Sequence, residues 1–276
     1  MKLLLFREDL RVHDNPALVA AADEEFVPVY VFDERDYGET RYGTKKMGAR
    51  TARFVRESVE DLRASLRERC GDLAVRRGKT EEVVAELVDE RDADEAVLQT
   101  KPATEEFERE RAIRDTVADE EAETRRLWTH TLYHVNDLPT DPRDIQDTFT
   151  PWHKEVESNS EVRDTVETPE TLETPTFDDP IPTLEGLGFD DEPTEDERAA
   201  VPFEGGETRA LERMEEYIWE RDCLREYKET RNGLVGPDYS SKFSAWLARG
   251  CLSPRRVYEE VKRYERERVS NDSTYW

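Results

Sequence analysis

Hydroxyl groups and one positive charge are concentrated in residues 238–244, which read DYSSKFS. Ser240, Ser241 and Ser244 supply the hydroxyls, and Lys242 supplies the charge. Where a loop becomes a helix, the free N–H groups of the first turn point in one direction and favour an anion. This combination suits a phosphate or pyrophosphate group. The alternative is that the serines only cap the helix.

Two upstream residues extend this pattern. Tyr227 and Arg231 are four residues apart and would share one helical face. A tyrosine that can stack and an arginine beside a phosphate-binding loop indicate a nucleotide or nucleic-acid site. Core packing for Tyr227 and a solvated surface charge for Arg231 are the alternatives.

The other polar clusters indicate structure rather than catalysis. The segment FREDLRVHDNPAL follows an apolar run, and we expect its charged side chains to form an ion-pair network: Arg7, Asp9, Arg11, His13 and Asp14. Neither a G-x-G-x-x-G motif nor a P-loop occurs, so a dinucleotide site of the usual kind in this region is not supported. The histidines and the three cysteines have no metal-ligand spacing, and we expect no metal site.

Charge is strongly negative and unevenly distributed. The chain has 67 acidic and 41 basic residues, a net charge of -26, yet residues 201–276 hold 15 acidic and 14 basic residues. A near-neutral segment in so acidic a chain is consistent with an anionic ligand. The acidic composition suggests a salt-rich cytosol, where the repulsion between carboxylates is screened. We therefore expect a soluble monomer in a reducing cytoplasm, and the sequence contains no apolar run long enough to predict a membrane span.

Apolar periodicity predicts three regions. In residues 1–135 short apolar runs alternate with helical patterns, one over 48–70 and one that Thr80 is expected to cap. The apolar runs are KLLLF, FVPVYVF, LAVRR, AVLQT and TRRLW, and the alternation predicts a doubly wound parallel α/β sheet. Residues 136–200 are acidic and rich in proline and predict a connector. Residues 201–276 predict helices: one capped by Thr208 that ends near Asn232, one over 242–249, and one from Pro254 to Tyr264 with Ser253 as its cap.

Six segments, in order along the chain, resemble the photolyase/cryptochrome flavoproteins: FREDLRVHDNPAL, VPVYVFD, WTHTLYHVNDLP, PFEGGETRALERMEEYIW, YKETRNGLVGPDYSSKFSAWLARGCLSPRRVYEEV and ERVSNDSTYW. The last two segments are most similar in sequence to the cryptochrome DASH branch of this family. Two departures from the family pattern are Glu8, where the family has Asn, and Lys101-Pro102.

The resemblance implies an α/β antenna domain (1–135), a connector (136–200) and the first part of a helical FAD-binding domain (201–276). It assigns FAD contacts to Tyr227, Ser240, Ser241, Lys242, Phe243 and Ser244, and a DNA-phosphate contact to Arg231. It also implies a methenyltetrahydrofolate antenna, for which Glu105 or Glu106 is the candidate ligand.

The activity implied by the resemblance is light-driven electron transfer from reduced FAD to cyclobutane pyrimidine dimers, with a preference for single-stranded DNA. The family pattern continues beyond Trp276, so we expect this chain alone to bind FAD weakly or not at all and to be inactive in repair. Two alternatives are a light-sensing regulator without repair activity and a free-standing nucleotide-binding α/β module. The second predicts an adenylate-binding loop in residues 1–135, and the sequence contains none.

Overall fold

The N-terminal region is a parallel sheet of five strands in the order β3-β2-β1-β4-β5. The computed structural model describes residues 1–190, 193–194, 199–233 and 235–268. The strands are β1 (Lys2–Phe6), β2 (Phe26–Asp33), β3 (Ala74–Gly78), β4 (Glu95–Gln99) and β5 (Glu123–Leu127). β1 and β2 are nearly continuous apolar runs because helices cover both faces of the sheet, whereas the edge strand β5 carries Arg and Glu. The predicted doubly wound α/β fold is confirmed.

Helices α1 (Pro16–Ala21), α2 (Glu34–Tyr37), α3 (Ala49–Arg67), α4 (Thr80–Arg91) and α5 (Thr104–Asp119) accompany the strands. α3 lies within the predicted 48–70 helix, and its buried face includes Val55, Val59, Leu62 and Leu66. α4 begins at Thr80, which is its first residue rather than its cap, because both the N–H and the hydroxyl of Thr80 donate to the buried carboxylate of Asp33.

The predicted connector packs closely against the α/β region. It contains two 3₁₀ turns, Val135–Asp137 and Pro142–Asp144, and one helix, α6 (Phe149–Asn159). This helix was not predicted, because the segment is acidic and rich in proline. Beyond α6 its Leu172 is 2% exposed, and the Leu172 N–H donates to the carbonyl of Arg69 at 2.8 Å. Much of this segment is therefore part of the folded core rather than a loose linker.

The C-terminal region is helical. α7 (Glu207–Glu215) continues into a π turn (Glu216–Glu220), and then come a 3₁₀ turn (Cys223–Glu226), α8 (Tyr227–Thr230), α9 (Ser244–Ala248) and α10 (Pro254–Arg268). Ser253 caps α10 as predicted, since its hydroxyl accepts from the N–H of Arg255 at 3.2 Å.

Two predictions for α7 were wrong. Gly206, not Thr208, precedes the first turn; its φ of 111° favours glycine, and a Cβ there would lie 2.7 Å from the Asp61 side chain. The helix also does not run to Asn232. It stops after the π turn, because Asp222 adopts the left-handed conformation with a φ of 52°.

The loop after β1 joins the two regions through buried polar contacts. Glu207 accepts from the N–H groups of Val12 and His13 at 2.7 and 2.9 Å and from the His13 ring. Arg11, 1% exposed, donates to the carbonyl of Gly250 at 2.9 Å, and Asp14 pairs with Arg255. The expected ion-pair network is found only in part: His13 and Asp14 pair with residues about 200 positions away along the chain, whereas Arg7 and Asp9 make no ion-pair contact with any described residue. We call the contacts of Arg11, His13 and Asp14 with Glu207, Gly250 and Arg255 the inter-region hub.

One core spans all parts of the chain. The largest cluster of buried apolar residues includes Leu4 and Phe6 of β1, Leu172 of the connector, and Trp246 and Tyr264 of the helical region. Among the described helices, none is long and apolar enough to cross a membrane.

Candidate functional site

The π turn and helices α8 and α10 enclose a hollow of about 540 Å³ in the helical region. Most of its wall is apolar or aromatic, and the few polar side chains lie near its rim. The lining residues used below are Tyr217, Tyr227, Lys228, Arg231, Ser241, Phe243 and Tyr264. An apolar cavity with a few polar groups is the usual form of a cofactor site.

Two residues of the predicted phosphate-binding loop, Ser241 and Phe243, line this hollow, whereas Ser240, Lys242 and Ser244 lie beside it on the same loop. Its helix, α9, begins at Ser244 instead of Lys242 and has only five residues, so the loop itself, rather than a helix terminus, must present the polar groups. Ser240 and Lys242 have φ values of 59° and 61°. Left-handed backbone at residues other than glycine is uncommon and is concentrated at ligand sites.

Arg213 holds this loop in place from α7. Its guanidinium group, on a side chain that is 6% exposed, donates to the carbonyl oxygens of Ser241, at 3.3 Å, and of Pro237. The loop is therefore fixed through its backbone. The side chains of Ser240, Ser241, Lys242 and Ser244 have no hydrogen-bond or ion-pair partner within the described ranges, which leaves them available to a ligand.

Tyr227 and Arg231 both line the hollow, at the two ends of α8, as the spacing predicts. Tyr227 is 37% exposed, so it is not a core residue. Neither Arg231 nor the adjacent Lys228 has an acidic partner among the residues that the structure covers. In a chain of net charge -26, unpaired cations at one rim favour an anionic ligand. Phe243, the remaining residue that the resemblance assigns to FAD, is 6% exposed and packs against Tyr217.

Two residues of this site, Arg213 and Tyr217, were not predicted from the sequence. In the sequence Arg213 resembles an ordinary surface arginine, and Tyr217, in the π turn after α7, resembles a core aromatic residue. Tyr217 is 1% exposed, and burial raises the pKa of its phenol to about 12. Only the folded positions of the loop and the hollow reveal either role.

A second cavity, of about 320 Å³, lies at the carboxyl ends of β1 and β2. Both glutamates predicted for an antenna line it. Glu105 pairs with Lys46 and with Arg109, the latter at 3.1 Å, so its carboxylate is already bound. Glu106 is half-buried and has no hydrogen-bond or ion-pair partner in the described part of the chain.

The two departures from the family pattern meet beside this cavity. Glu8, at the end of β1, pairs with Lys101, which follows β4, and with Arg249 at 3.0 Å. Burial lowers the pKa of Lys101. The negative charge of Glu8 is therefore balanced by the positive charge of Lys101. The two residues can meet because β1 and β4 are neighbouring strands.

No three His, Cys, Asp or Glu side chains within residues 1–190, 193–194, 199–233 and 235–268 are arranged to hold a metal ion.

Comparison with known proteins identifies the family. The model of the DNA photolyase family matches residues 2–175. Cryptochrome DASH of Natronomonas pharaonis is 55% identical over 98% of this chain and 58% of its own length. A Synechocystis cryptochrome of known structure has a TM-score of 0.94 at 38% identity, over 100% of this chain and 58% of that one.

A photolyase from Sulfolobus tokodaii, whose crystal structure is described with two FAD molecules, shares the fold with a TM-score of 0.70 at 20% identity, over 96% of this chain and 57% of that one. This chain spans little more than half the length of the relatives that it matches. The chain belongs to the DNA photolyase family and is similar to its cryptochrome DASH members.

Proposed function

We propose that the loop at residues 238–244 binds the pyrophosphate of FAD, and that the chain forms part of a blue-light flavoprotein that splits cyclobutane pyrimidine dimers. The observation that carries this proposal is the loop fixed by Arg213: its backbone is held, while the side chains of Ser240, Ser241, Lys242 and Ser244 have no partner among the residues that the structure describes.

The residues present fit this cofactor. The hollow is apolar enough to exclude water from aromatic rings, and Tyr227 and Phe243 contribute aromatic wall. The loop supplies hydroxyl donors and one cation for two phosphates, which bind more strongly to charged donors than to neutral ones. When bound and reduced, FAD supplies the electron that light releases to the lesion. The protein groups supply binding, orientation and charge.

The rim of the hollow supports a DNA partner. Arg231 is exposed and unpaired among the described residues, with Lys228 beside it, and both can reach phosphates of a strand that crosses the opening. A lesion must leave the base stack to approach a flavin, and this costs less in a single strand than in a duplex. We therefore assign Arg231 to phosphate binding and single-stranded DNA to the preferred substrate.

We assign the antenna to Glu106 rather than Glu105. The carboxylate of Glu106, which has no partner in the described ranges, can accept N–H groups of a pterin ring, whereas Glu105 would first have to give up Lys46 and Arg109. The cavity of about 320 Å³ is at the small end of ligand sites, which are about 300–1000 Å³. It suits the ring system of methenyltetrahydrofolate better than the whole molecule.

FAD binding tests the central proposal. Equilibrium dialysis of the wild-type chain against FAD up to millimolar concentration gives its Kd, and we expect Lys242→Ala to raise that Kd about tenfold through the loss of one charged contact. Lys154→Ala is the matched control, because Lys154 is an exposed lysine on α6, outside the loop of residues 238–244. The binding by this chain alone is expected to be weak, but the proposal requires that it be measurable at millimolar FAD. Absence of FAD binding by the wild type at that concentration, or equal Kd values for the two variants, would contradict the proposal.

A further inference from the structure

Asn232 precedes a glycine in an exposed turn and directly follows Arg231, which lines the hollow. Asn232 is itself exposed, and its side-chain amide has no hydrogen-bond partner among the described residues. An asparagine in this setting can react with its own backbone, because a glycine has no side chain that hinders approach of its nitrogen to the asparagine side chain. The turn therefore has the chemistry needed for deamidation.

The fold requires the glycine after Asn232. A Cβ at Gly233 would lie 2.4 Å from two atoms of the Tyr239 ring, so that ring packs directly on the glycine backbone. A larger residue at this position would displace Tyr239, which immediately precedes Ser240 of the phosphate-binding loop. The chain therefore keeps the least hindered residue next to Asn232.

The backbone nitrogen of Gly233 is held at the end of a short helix. Its N–H donates to the carbonyl of Thr230 at 2.8 Å, and Thr230 is the last residue of α8, which has four residues. Hydrogen bonds in short, exposed elements open at a small cost in free energy. The nitrogen can therefore become free without unfolding of the hollow.

The other described asparagines lack this combination of features. Asn15 is buried, and its side chain caps α1. Asn136 and Asn159 are exposed, but neither precedes a glycine, and the Asn159 amide donates to the carbonyl of Glu155 at 2.8 Å. Asn232 alone among the described asparagines is exposed, unpartnered and followed by glycine.

We propose that Asn232 is a site of spontaneous deamidation. The Gly233 nitrogen forms a bond to the side-chain carbonyl carbon of Asn232. The bond from that carbon to the side-chain nitrogen breaks, and ammonia leaves with the proton of the Gly233 amide. Water then opens the resulting cyclic imide to aspartate or isoaspartate, and either product is negatively charged at neutral pH.

The new carboxylate would oppose the positive charge at the rim of the hollow. Arg231 directly precedes it, and Lys228 lies four positions before it; neither cation has an acidic partner among the described residues. A negative charge beside them would repel phosphate. The modification is independent of the proposed function, whereas this effect on DNA binding rests on it.

Peptide mapping by mass spectrometry tests the modification. After incubation of the folded chain at mildly alkaline pH, we expect aspartate and isoaspartate to accumulate faster in the peptide of residues 229–242, whose only asparagine is Asn232, than in that of residues 155–163, which contains Asn159. Asn232→Gln should abolish the change in the first peptide, because the longer side chain closes the ring far less readily. Deamidation of Asn232 in urea but not in the folded chain would overturn the proposal, since the Thr230 bond would then protect the nitrogen.

Asn232→Asp tests the consequence separately. We expect its Kd for a single-stranded oligonucleotide to be about threefold higher than that of the wild type, the effect of one exposed charge a few ångströms away in water. Asn159→Asp is the matched control, because it adds the same charge on α6. Deamidation of Asn232 together with an unchanged Kd for N232D would refute the effect on DNA alone. A wild-type chain that binds no oligonucleotide would refute the proposed DNA partner and leave the modification site standing.

Discussion

Removal of the Glu207 carboxylate should loosen the junction between the α/β and helical regions. Glu207 is 4% exposed and accepts three hydrogen bonds from the loop after β1: the backbone N–H groups of Val12 and His13 and the ring N–H of His13. In Glu207→Ala these three donors lose their acceptor, at about 1–3 kcal/mol for each that stays buried. Partial relaxation offsets some of this cost, and we expect a loss of about 3–5 kcal/mol in the free energy of unfolding.

Urea denaturation at pH 7 measures this loss. Glu212→Ala is the matched control, because Glu212 lies on the same helix, is 57% exposed and pairs only with Arg209 within the described ranges. An exposed pair of this kind contributes about 0–1 kcal/mol. If the midpoints of the E207A and E212A proteins coincide, the inter-region hub does not stabilise the fold.

The same variant makes a prediction about pH. Burial by itself would raise the pKa of Glu207, but the hydrogen bonds and charge of His13 and the Val12 N–H outweigh it and bring the pKa below the ordinary 4.5. The stability from this depressed pKa is present above about pH 4.5 and is lost as the pH falls through the lower folded-state value. The difference in the free energy of unfolding between wild type and E207A should therefore stay constant from pH 7 to pH 5 and become smaller below pH 4.5. A constant difference down to pH 3 would contradict this reasoning.

Two further predictions concern ligands. Arg231→Ala should weaken binding of a single-stranded oligonucleotide and reduce the slope of log K against log salt concentration by about 0.7, the value for one phosphate contact; an unchanged slope in fluorescence anisotropy would remove Arg231 from the DNA surface. Glu106→Gln should lower the affinity for methenyltetrahydrofolate, measured by its absorbance after dialysis, while Glu105→Gln should not; the reverse order would transfer the antenna role to Glu105.

The sheet was predictable because its signal is local. Buried strands such as β1 and β2 are continuous apolar runs, and Ser253-Pro254 marks the start of α10 through short-range cap chemistry. α6 was missed because its segment is rich in proline and charge, and only Val156 of the helix is buried.

The candidate site was predictable in part. The loop and Tyr227 are visible in the sequence as a cluster of residue types. The contacts of Arg213 with Pro237 and Ser241, and of Tyr217 with Phe243, form only in the folded chain and could not be predicted. The pairing of Glu8 with Lys101 was equally hidden, because the two residues are 93 positions apart and meet only where β1 and β4 lie side by side.

The inter-region hub also affects how the chain folds during its synthesis. Val12 and His13 leave the ribosome early, but their acceptor, Glu207, is made 194 residues after His13. At about 5–20 residues per second, this interval is roughly 10–40 s. Throughout it, the N–H groups of Val12 and His13 lack their native acceptor. The apolar side chains of Leu10 and Val12 also lack the part of the core that the helical region contributes, which exposes them to aggregation. Slower translation should therefore reduce the soluble yield of this protein rather than improve it.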